Sequence, residues 1–214
     1  MLLTIPMGPL EANCYLLYRQ DGGEAVLIDP SDATEALVAL CKHKLNLTHI
    51  LLTHRHFDHI AGVAGLKAAT DAAVLIHTLD ASGLTDPRAA QAAWMGGELT
   101  PCEPTMRLQD GDRFMAAGYA FRVLHTPGHT EGGVCYVCDE EQAAFTGDTV
   151  FCDGVGRTDL PGGNMRALMH SLCDRILTLP KSYMLYPGHG EPTTVAHEAE
   201  HNPLLQYRSN PWFN

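Results

Sequence analysis

The 214-residue sequence has no apolar run long enough to cross a bilayer. Its longest runs contain about six residues, whereas a membrane-spanning helix needs roughly 20. Residues 1–6 include no basic side chain, so we expect neither a secretory signal nor a membrane partner. Hydrophobic residues make up 45% of the chain and charged residues 18%, which argues against disorder. This length favours a single domain over residues 1–214.

Basic residues are also scarce. Lysine and arginine number 14 against 25 acidic residues, and they are scattered singly. Because nucleic-acid binding needs a basic stripe, no nucleic-acid partner is expected. The seven cysteines are an odd number in a chain too long to need a disulfide framework, which favours the reducing cytoplasm. Cys135 and Cys138 lie three apart in a predicted strand, so they should face opposite sides as packing residues.

Histidine, by contrast, is abundant: 12 residues nearly match lysine and arginine together. Strand-like segments alternate with helical patterns, which indicates an α/β fold. The predicted strands are 12–18, 25–28, 49–52, 73–76, 119–124, 133–138, 143–145 and 183–186. The predicted helices are 32–44, 60–69, 88–94, 165–177 and 194–200, with N-caps at Asp32 and Asn164. Gly22-Gly23 predicts a hairpin, and 96–104 an irregular loop.

Four predicted strands end just before a residue that can ligate a metal, namely His54, His129, Asp148 and His189. Since sites in open α/β sheets collect beyond the carboxyl ends of strands, we expect these side chains to converge at one edge of one sheet system. A glycine precedes each of the last three, which allows close backbone approach. The histidines therefore predict a metal site built from distant segments.

Residues 54–59 carry the pattern H-x-H-x-D-H, which is expected by chance only about 0.002 times in a chain of this composition. In an extended segment His54, His56 and Asp58 point to the same side. A turn into a helix near residue 60 instead directs Asp58 and His59 toward a second position. We interpret the segment as a loop that holds two adjacent divalent ions.

Residues 197–201 carry a second pattern, H-E-x-x-H, which is the zinc-protease signature. It is expected by chance about 0.03 times, more than ten times as often as the first pattern. No Asp, Glu, His or Cys follows that could supply a third ligand, and Asn202-Pro203 ends the helix at once. We interpret these residues as part of a surface helix.

The H-x-H-x-D-H segment, 126–130 (T-P-G-H-T), 146–149 (T-G-D-T) and 187–190 (P-G-H-G), in this order, resemble the metallo-β-lactamase superfamily. Residues 154–159 (G-V-G-R-T-D) are similar to a loop of glyoxalase II (hydroxyacylglutathione hydrolase) and of persulfide dioxygenases. Residues 202–204 are similar to short bacterial glyoxalase II-like proteins. Class B β-lactamases carry cysteine where Asp148 stands, so the resemblance separates the chain from them. Because only 24 residues follow Gly190 in this sequence, we do not expect the glutathione contacts that the C-terminal domain of long glyoxalase II supplies.

The resemblance implies a four-layer αββα sandwich, in which two mixed sheets pack face to face with helices outside. It also implies two neighbouring metal positions that share one carboxylate. The first would be held by His54, His56 and His129, the second by Asp58, His59 and His189, with Asp148 as the bridge. Zinc is the expected metal, and iron or manganese in one or both positions are the alternatives.

The resemblance further implies a metal-dependent hydrolase in which a metal-bound hydroxide, assisted by Asp58, attacks an acyl carbon. A thiolate leaves without a general acid, which favours a hydroxyacyl thioester such as S-lactoylglutathione. Two divalent ions outweigh two aspartates and one hydroxide, so we expect a small anionic substrate. The alternatives are a mono-iron persulfide dioxygenase-type oxidoreductase and a lactonase of the same superfamily.

Several residues are open to two interpretations. Arg157 either contacts a substrate carboxylate or contacts its own loop. Asp29 either orients a ligand histidine or forms a turn. The side chains of Trp94, Trp212 and Phe213 either line a rim or pack a terminus, and His77 and His125 are expected to support the site or to pack in the core.

Overall fold

Two six-stranded sheets form the centre of the molecule in the computed structural model, which describes residues 1–207. The first sheet contains, in spatial order, Leu2–Met7 (β1), Ala12–Tyr18 (β2), Glu24–Ile28 (β3), Asn46–Leu51 (β4), Ala73–His77 (β5) and Met106–Leu108 (β6). The pairs β1–β2 and β2–β3 are antiparallel, whereas β3 to β6 are parallel to one another, so the sheet is mixed.

The second sheet is mixed as well. Its strands are, in chain order, Arg113–Ala116 (β7), Tyr119–His125 (β8), Val134–Cys138 (β9), Ala143–Gly147 (β10), Met184–Pro187 (β13) and Thr193–Thr194 (β14). Between β10 and β13 the chain forms a separate two-stranded sheet from Val150–Phe151 (β11) and Gly154–Val155 (β12). The spatial order is β14-β13-β10-β9-β8-β7. Strands β7 to β10 pair antiparallel, and β13 lies parallel to β10.

Helices cover the outer face of each sheet. They are Ala33–Lys42 (α1), Phe57–Ile60 (α2), Val63–Thr70 (α3), Met165–His170 (α4), which continues as a π-helical stretch Ser171–Ile176, and Val195–His201 (α5). The predicted N-caps are confirmed. Asp32 accepts a hydrogen bond from the backbone N–H of Glu35 (2.9 Å), and Asn164 accepts one from Ala167 (3.0 Å). No helix in residues 1–207 combines the length and the hydropathy needed to span a membrane.

Three apolar layers hold the αββα sandwich together, because the central strands are buried on both faces. In β2, Leu16 packs against α1 and α3, whereas Tyr15 faces the second sheet. In β9, Cys138 lies in the layer between the sheets, and Cys135 lies in the layer under α4 and its π-helical continuation. The two cysteines therefore face opposite sides as packing residues, as predicted.

The predicted helix 88–94 is wrong, since the segment forms turns. Its alanine-rich sequence favours a helix, but Gln91 adopts a left-handed conformation (φ 59°) and the carbonyl of Ala90 accepts a hydrogen bond from Phe57 (2.9 Å). Tertiary contacts thus override local propensity. The hairpin at Gly22-Gly23 and the irregular stretch 96–104 are confirmed.

Other differences concern edges and ends. The predicted strands do not include β1, β6, β7, β11, β12 or β14. Pro6 weakens the strand pattern of β1, which forms an edge of its sheet, and the other five are only two to four residues long. The predicted helix 60–69 begins later, at Val63, after the separate turn α2. The predicted helix 165–177 is α-helical only in its first half. Trp212 and Phe213 lie outside the described residues.

Candidate metal centre

All seven predicted ligands meet at one edge of the sandwich. Strand β4 of the first sheet leads into residues 54–59, while β8, β10 and β13 of the second sheet end before His129, Asp148 and His189. These three strands run in the same direction, so their carboxyl ends lie together. The expected convergence is present, but the site spans two facing sheets and not the edge of one.

The first group of side chains consists of His54, His56 and His129. One ring nitrogen from each lies within 4.8 Å of the others, and all three residues are buried. Nδ1 of His56 is 2.8 Å from Nε2 of His129, and the ring centres of His54 and His129 are 4.9 Å apart. Three buried imidazoles facing one point are a typical set of ligands for a divalent transition metal.

The second group consists of Asp58, His59 and His189, whose ligand atoms also lie within 4.8 Å of one another. Helix α2 begins at Phe57, so Asp58 and His59 occupy its first turn, and the His59 ring lies beside that of His54 with 4.2 Å between the ring centres. Nε2 of His189 is 3.3 Å from Oδ2 of Asp58. The predicted turn after the H-x-H segment therefore creates the second position.

Asp148 lies between the two groups. One of its carboxylate oxygens is 3.4 Å from Nε2 of His129, and the other is 3.5 Å from Nε2 of His59. Backbone freedom makes this placement possible. Gly147 has φ 48°, and a side chain on Gly188 would collide with the Asp148 carboxylate and with the His59 ring.

Unsatisfied polar atoms test whether this arrangement fits a metal. In the described part of the chain, six buried side-chain nitrogen or oxygen atoms lack a hydrogen-bond partner. Four of them belong to this centre, namely His54 Nε2, His59 Nε2, Asp58 Oδ1 and Asp148 Oδ1. Because a buried polar atom without a partner is costly, this concentration fits a site that holds cations.

The histidine nitrogens that face away from the centre are held by the protein. Nδ1 of His129 donates a hydrogen bond to the carbonyl of Arg157 (2.7 Å), and Nδ1 of His189 donates to that of Leu10 (3.2 Å). His59 Nδ1 donates to the Asp29 carboxylate (3.1 Å). These bonds select the tautomer that leaves Nε2 free to bind a metal.

Asp29 supports two ligand segments at once. Its carboxylate accepts hydrogen bonds from the backbone N–H (2.7 Å) and the hydroxyl (2.5 Å) of Thr53, besides that from His59. The Thr53 oxygen in turn lies 3.0 Å from Nδ1 of His54. These contacts favour the orienting interpretation of Asp29.

The electrostatics of the two groups differ. Burial lowers the pKa of His56 to about 3, with the neighbouring His129 ring as the next cause, and burial also lowers that of His54. Burial acts in the same direction on His59, but the Asp58 and Asp148 carboxylates outweigh it and raise its pKa to about 10. Without metal, the second group therefore holds a proton among carboxylates, a position that suits a cation.

A buried ion pair joins the loops of the two sheets and was not predicted. The Asp80 carboxylate lies 3.2 Å from the Arg55 guanidinium and accepts hydrogen bonds from the Thr130 hydroxyl (2.6 Å) and the Gly132 N–H (2.9 Å). Asp80 follows the carboxyl end of β5, and site residues are expected beyond the carboxyl ends of such strands. This signal could therefore have identified Asp80. Gln91, 3.5 Å from Nε2 of His56, had no signal in the sequence.

The structure also shows what Arg157, His77 and His125 contact. The Arg157 guanidinium forms a two-bonded ion pair with Asp159 (2.7 and 2.8 Å) and lies 5.2 Å from the ring centre of Trp94, so it contacts its own loop and the rim. His77 and His125 stack on each other, 4.2 Å apart, outside the two ligand groups.

The sequence profile of the metallo-beta-lactamase superfamily matches residues 7–189, which include all seven predicted ligands. The chain belongs to the metallo-beta-lactamase superfamily. Hydroxyacylglutathione hydrolase GloC of Haemophilus influenzae is 33% identical over 208 residues, which cover 96% of this chain and 98% of that protein. Membership assigns the chain to the metallo-hydrolases.

Two solved structures are similar to this chain in sequence and fold. The B3 metallo-beta-lactamase BLEG-1 is 38% identical, with a TM-score of 0.89 over 96% of this chain and 99% of that chain. The di-iron-bound form of TTHA1623 is 40% identical, with a TM-score of 0.84 over 94% and 99%. A B3 metallo-beta-lactamase is thus among the similar structures, and the expected separation from class B β-lactamases on the basis of Asp148 stays a prediction.

Proposed function

We propose that the chain hydrolyses thioesters, with a small anionic hydroxyacyl thioester such as S-lactoylglutathione as the first substrate to test. One observation carries this proposal: buried, unpartnered ligand atoms of two groups point at one space, and Asp148 lies between them. The similarity to hydroxyacylglutathione hydrolase GloC supports the thioester as the bond that is cleaved.

The first group of side chains fits one divalent cation and the second group fits another, with Asp148 shared between the two. Such cations lower the pKa of bound water toward neutrality and polarise a carbonyl oxygen. We propose zinc, with iron and manganese as alternatives. The di-iron form of TTHA1623 supports the iron alternative. The cytoplasm, the compartment that the cysteine content favours, is our proposed location.

The chain itself contributes orientation and proton handling. Hydrogen bonds from His59, His129 and His189 to protein acceptors hold these rings in one tautomer. Burial would raise the pKa of Asp58, but His59 and His189 lower it, so its carboxylate stays ionised at neutral pH. Its unpartnered Oδ1 can then accept a hydrogen bond from an attacking water and orient it.

The leaving group favours a thioester over an ester or an amide. In the described part of the chain, the acidic side chains at the centre either belong to the predicted ligands or, as Asp29 does, bind to them. No separate acid is therefore available to protonate a poor leaving group, whereas a thiolate departs without one. β-Lactam hydrolysis is the second candidate, favoured by the 38% identity with BLEG-1.

The test is cleavage of S-lactoylglutathione by protein loaded with zinc, iron or manganese, beside a β-lactam and a lactone. His54→Ala serves as the site variant and His197→Ala as the matched control, since His197 also contacts an aspartate but lies on α5. We expect wild type and His197→Ala to cleave the thioester and His54→Ala to lose at least about 100-fold in rate.

Three results would contradict the proposal. If the wild-type protein cleaved the thioester no faster than His54→Ala with zinc, iron and manganese alike, thioester hydrolysis would be excluded. A β-lactam cleaved faster than every thioester would make the chain a lactamase. Oxygen uptake with glutathione persulfide by the iron-loaded protein, without thioester cleavage, would make it an oxidoreductase.

A further inference from the structure

An apolar cavity of about 450 Å³ opens beside Asp58. One wall is the turn that joins β1 to β2, which carries Leu10, and the other is the segment with Trp94 and Met95. Phe57, next to Asp58 in the chain, also lines the cavity. This volume lies within the range of ordinary small-molecule sites.

Charge is nearly absent from this cavity. Among the lining residues within the described range 1–207, Asp58 is the one ionisable side chain, and none is lysine or arginine. The Arg157 guanidinium is not among the lining groups, and it is already paired with Asp159. A carboxylate inside the cavity would therefore lose its hydration without gaining a counter-charge, which is unfavourable.

Both walls are attached to the segments that carry the predicted ligands. The carbonyl of Leu10 accepts the hydrogen bond from Nδ1 of His189 (3.2 Å). The backbone N–H of Phe57 donates to Ala90 (2.9 Å), and Gly97 packs so closely on the Phe57 ring that a side chain at 97 would not fit. The cavity is thus held in place relative to Asp58.

Two large apolar side chains are left in solvent at this position. The side chain of Trp94 is 62% exposed and that of Leu10 is 51% exposed, and both line the same cavity. Single exposed apolar residues need no explanation, but two that line the same cavity beside a candidate metal centre form a surface that a ligand can cover.

We propose that this cavity binds an uncharged, apolar arm of the substrate while the thioester carbonyl lies at the metal centre. The inference rests on the proposed thioester hydrolysis and narrows its substrate class. A lactoyl group on glutathione would use the centre without filling the cavity, and the glutathione carboxylates would stay outside it. The arm can belong to the acyl group or to the thiol, and the assay separates these two sources.

The test measures kcat/KM for acyl thioesters of N-acetylcysteamine, from acetyl to octanoyl, and for acetyl thioesters of alkanethiols from two to eight carbons. Burial of one methylene is expected to raise kcat/KM about three- to fourfold until the cavity is full. A rise in the first series assigns the cavity to the acyl group, and a rise in the second assigns it to the thiol.

Leu10→Asp places a charge in one wall and keeps the carbonyl that holds His189. It should reduce the gain per methylene to less than about 1.5-fold, because the arm would have to cover the new carboxylate and remove its water. Val38→Asp is the matched control, since Val38 is an exposed apolar residue on α1 away from the cavity, and it should keep the full dependence on chain length.

A binding measurement separates this inference from the proposed function. The metal-free Trp212→Phe variant leaves Trp94 as its one tryptophan, so its fluorescence reports on the cavity. Uncleavable alkyl thioethers of N-acetylcysteamine should quench it, with a Kd that falls about three- to fourfold per methylene. Binding without thioester cleavage would overturn the proposed function alone. Cleavage with neither a chain-length dependence nor thioether binding would overturn the cavity inference alone, and absence of both would overturn both.

Discussion

Two clusters of histidine and acidic side chains in this molecule look alike in composition. One is the metal centre. The other, which we name the α5 cluster, consists of Cys152, Asp153, His197 and Glu198, and it contains most of the H-E-x-x-H pattern. In each group of ligand-type residues the ligand atoms lie within 4.8 Å of one another. Residue type and proximity therefore do not distinguish the clusters.

Hydrogen-bond satisfaction does distinguish them. In the α5 cluster, Glu198 is buried, and its carboxylate accepts hydrogen bonds from the Thr193 hydroxyl (2.6 Å), the Asn202 amide (2.7 Å) and the Asp153 N–H (3.2 Å). Nε2 of His197 contacts Asp153 at 2.7 Å. The α5 cluster thus joins α5 to the β11–β12 turn, whereas the metal centre keeps four buried atoms without partners. Buried polar atoms without hydrogen-bond partners therefore distinguish a candidate metal site from a structural cluster of the same residue types.

The largest expected difference between the clusters is in metal affinity. His54→Ala should lower it at least about 100-fold, because it removes a ligand outright, whereas loss of a supporting partner costs about 10- to 100-fold. His197→Ala should leave it unchanged within about twofold. Competition with a chromogenic chelator measures both variants. Equal losses in the two variants would remove the distinction between the clusters.

The next difference lies between the two halves of the metal centre in metal-free protein. The raised pKa of His59, about 10, predicts a ring that is protonated at pH 8, and the lowered pKa of His56, about 3, predicts one that is neutral at pH 5. The charged His59 ring stabilises the fold fully below its unfolded pKa of about 6.5, and this contribution is lost as the pH rises to about 10.

Heteronuclear NMR of the histidine rings between pH 5 and 10 measures these charges. A cation must displace the His59 proton, so affinity at the second position should rise about tenfold per pH unit in this range. Two rings that both titrate near pH 6.5 would contradict the asymmetry.

The smallest difference concerns stability. Glu198→Ala should lower the free energy of unfolding by about 1–3 kcal/mol, because its buried donors lose their acceptor. Glu200→Ala, on the exposed side of the same helix, should change it by less than about 0.5 kcal/mol. Urea unfolding measures both, with metal content as the second readout. A loss of metal in Glu198→Ala would show that the α5 cluster supports the centre.

Much of the metal centre could be read from local patterns. The strands before His54, His129, Asp148 and His189 were predicted from apolar runs, and the carboxyl ends of such strands gather by topology alone. The rejection of H-E-x-x-H also needed only local information, because Pro203 directly follows the helix. The alanine-rich helix 88–94 failed for the opposite reason, since Gln91 and Ala90 bind to a segment more than 30 residues away.

Local patterns in the sequence were enough to predict which side chains can bind a metal, where the strands that carry them end, and that the fold is α/β, whereas the αββα sandwich came from the resemblance to a known family. Residue type, period and strand ends are local properties, so they can be read along the chain. The three-dimensional packing was needed to show that the site lies between two sheets, that Asp29 and Asp80 hold its loops, and that Leu10 and Trp94 line one cavity. The hydrogen-bond partners of Asp29 and Asp80 lie 24 to 52 residues away in the chain, and Leu10 and Trp94 are 84 residues apart, so no short stretch of sequence contains both partners.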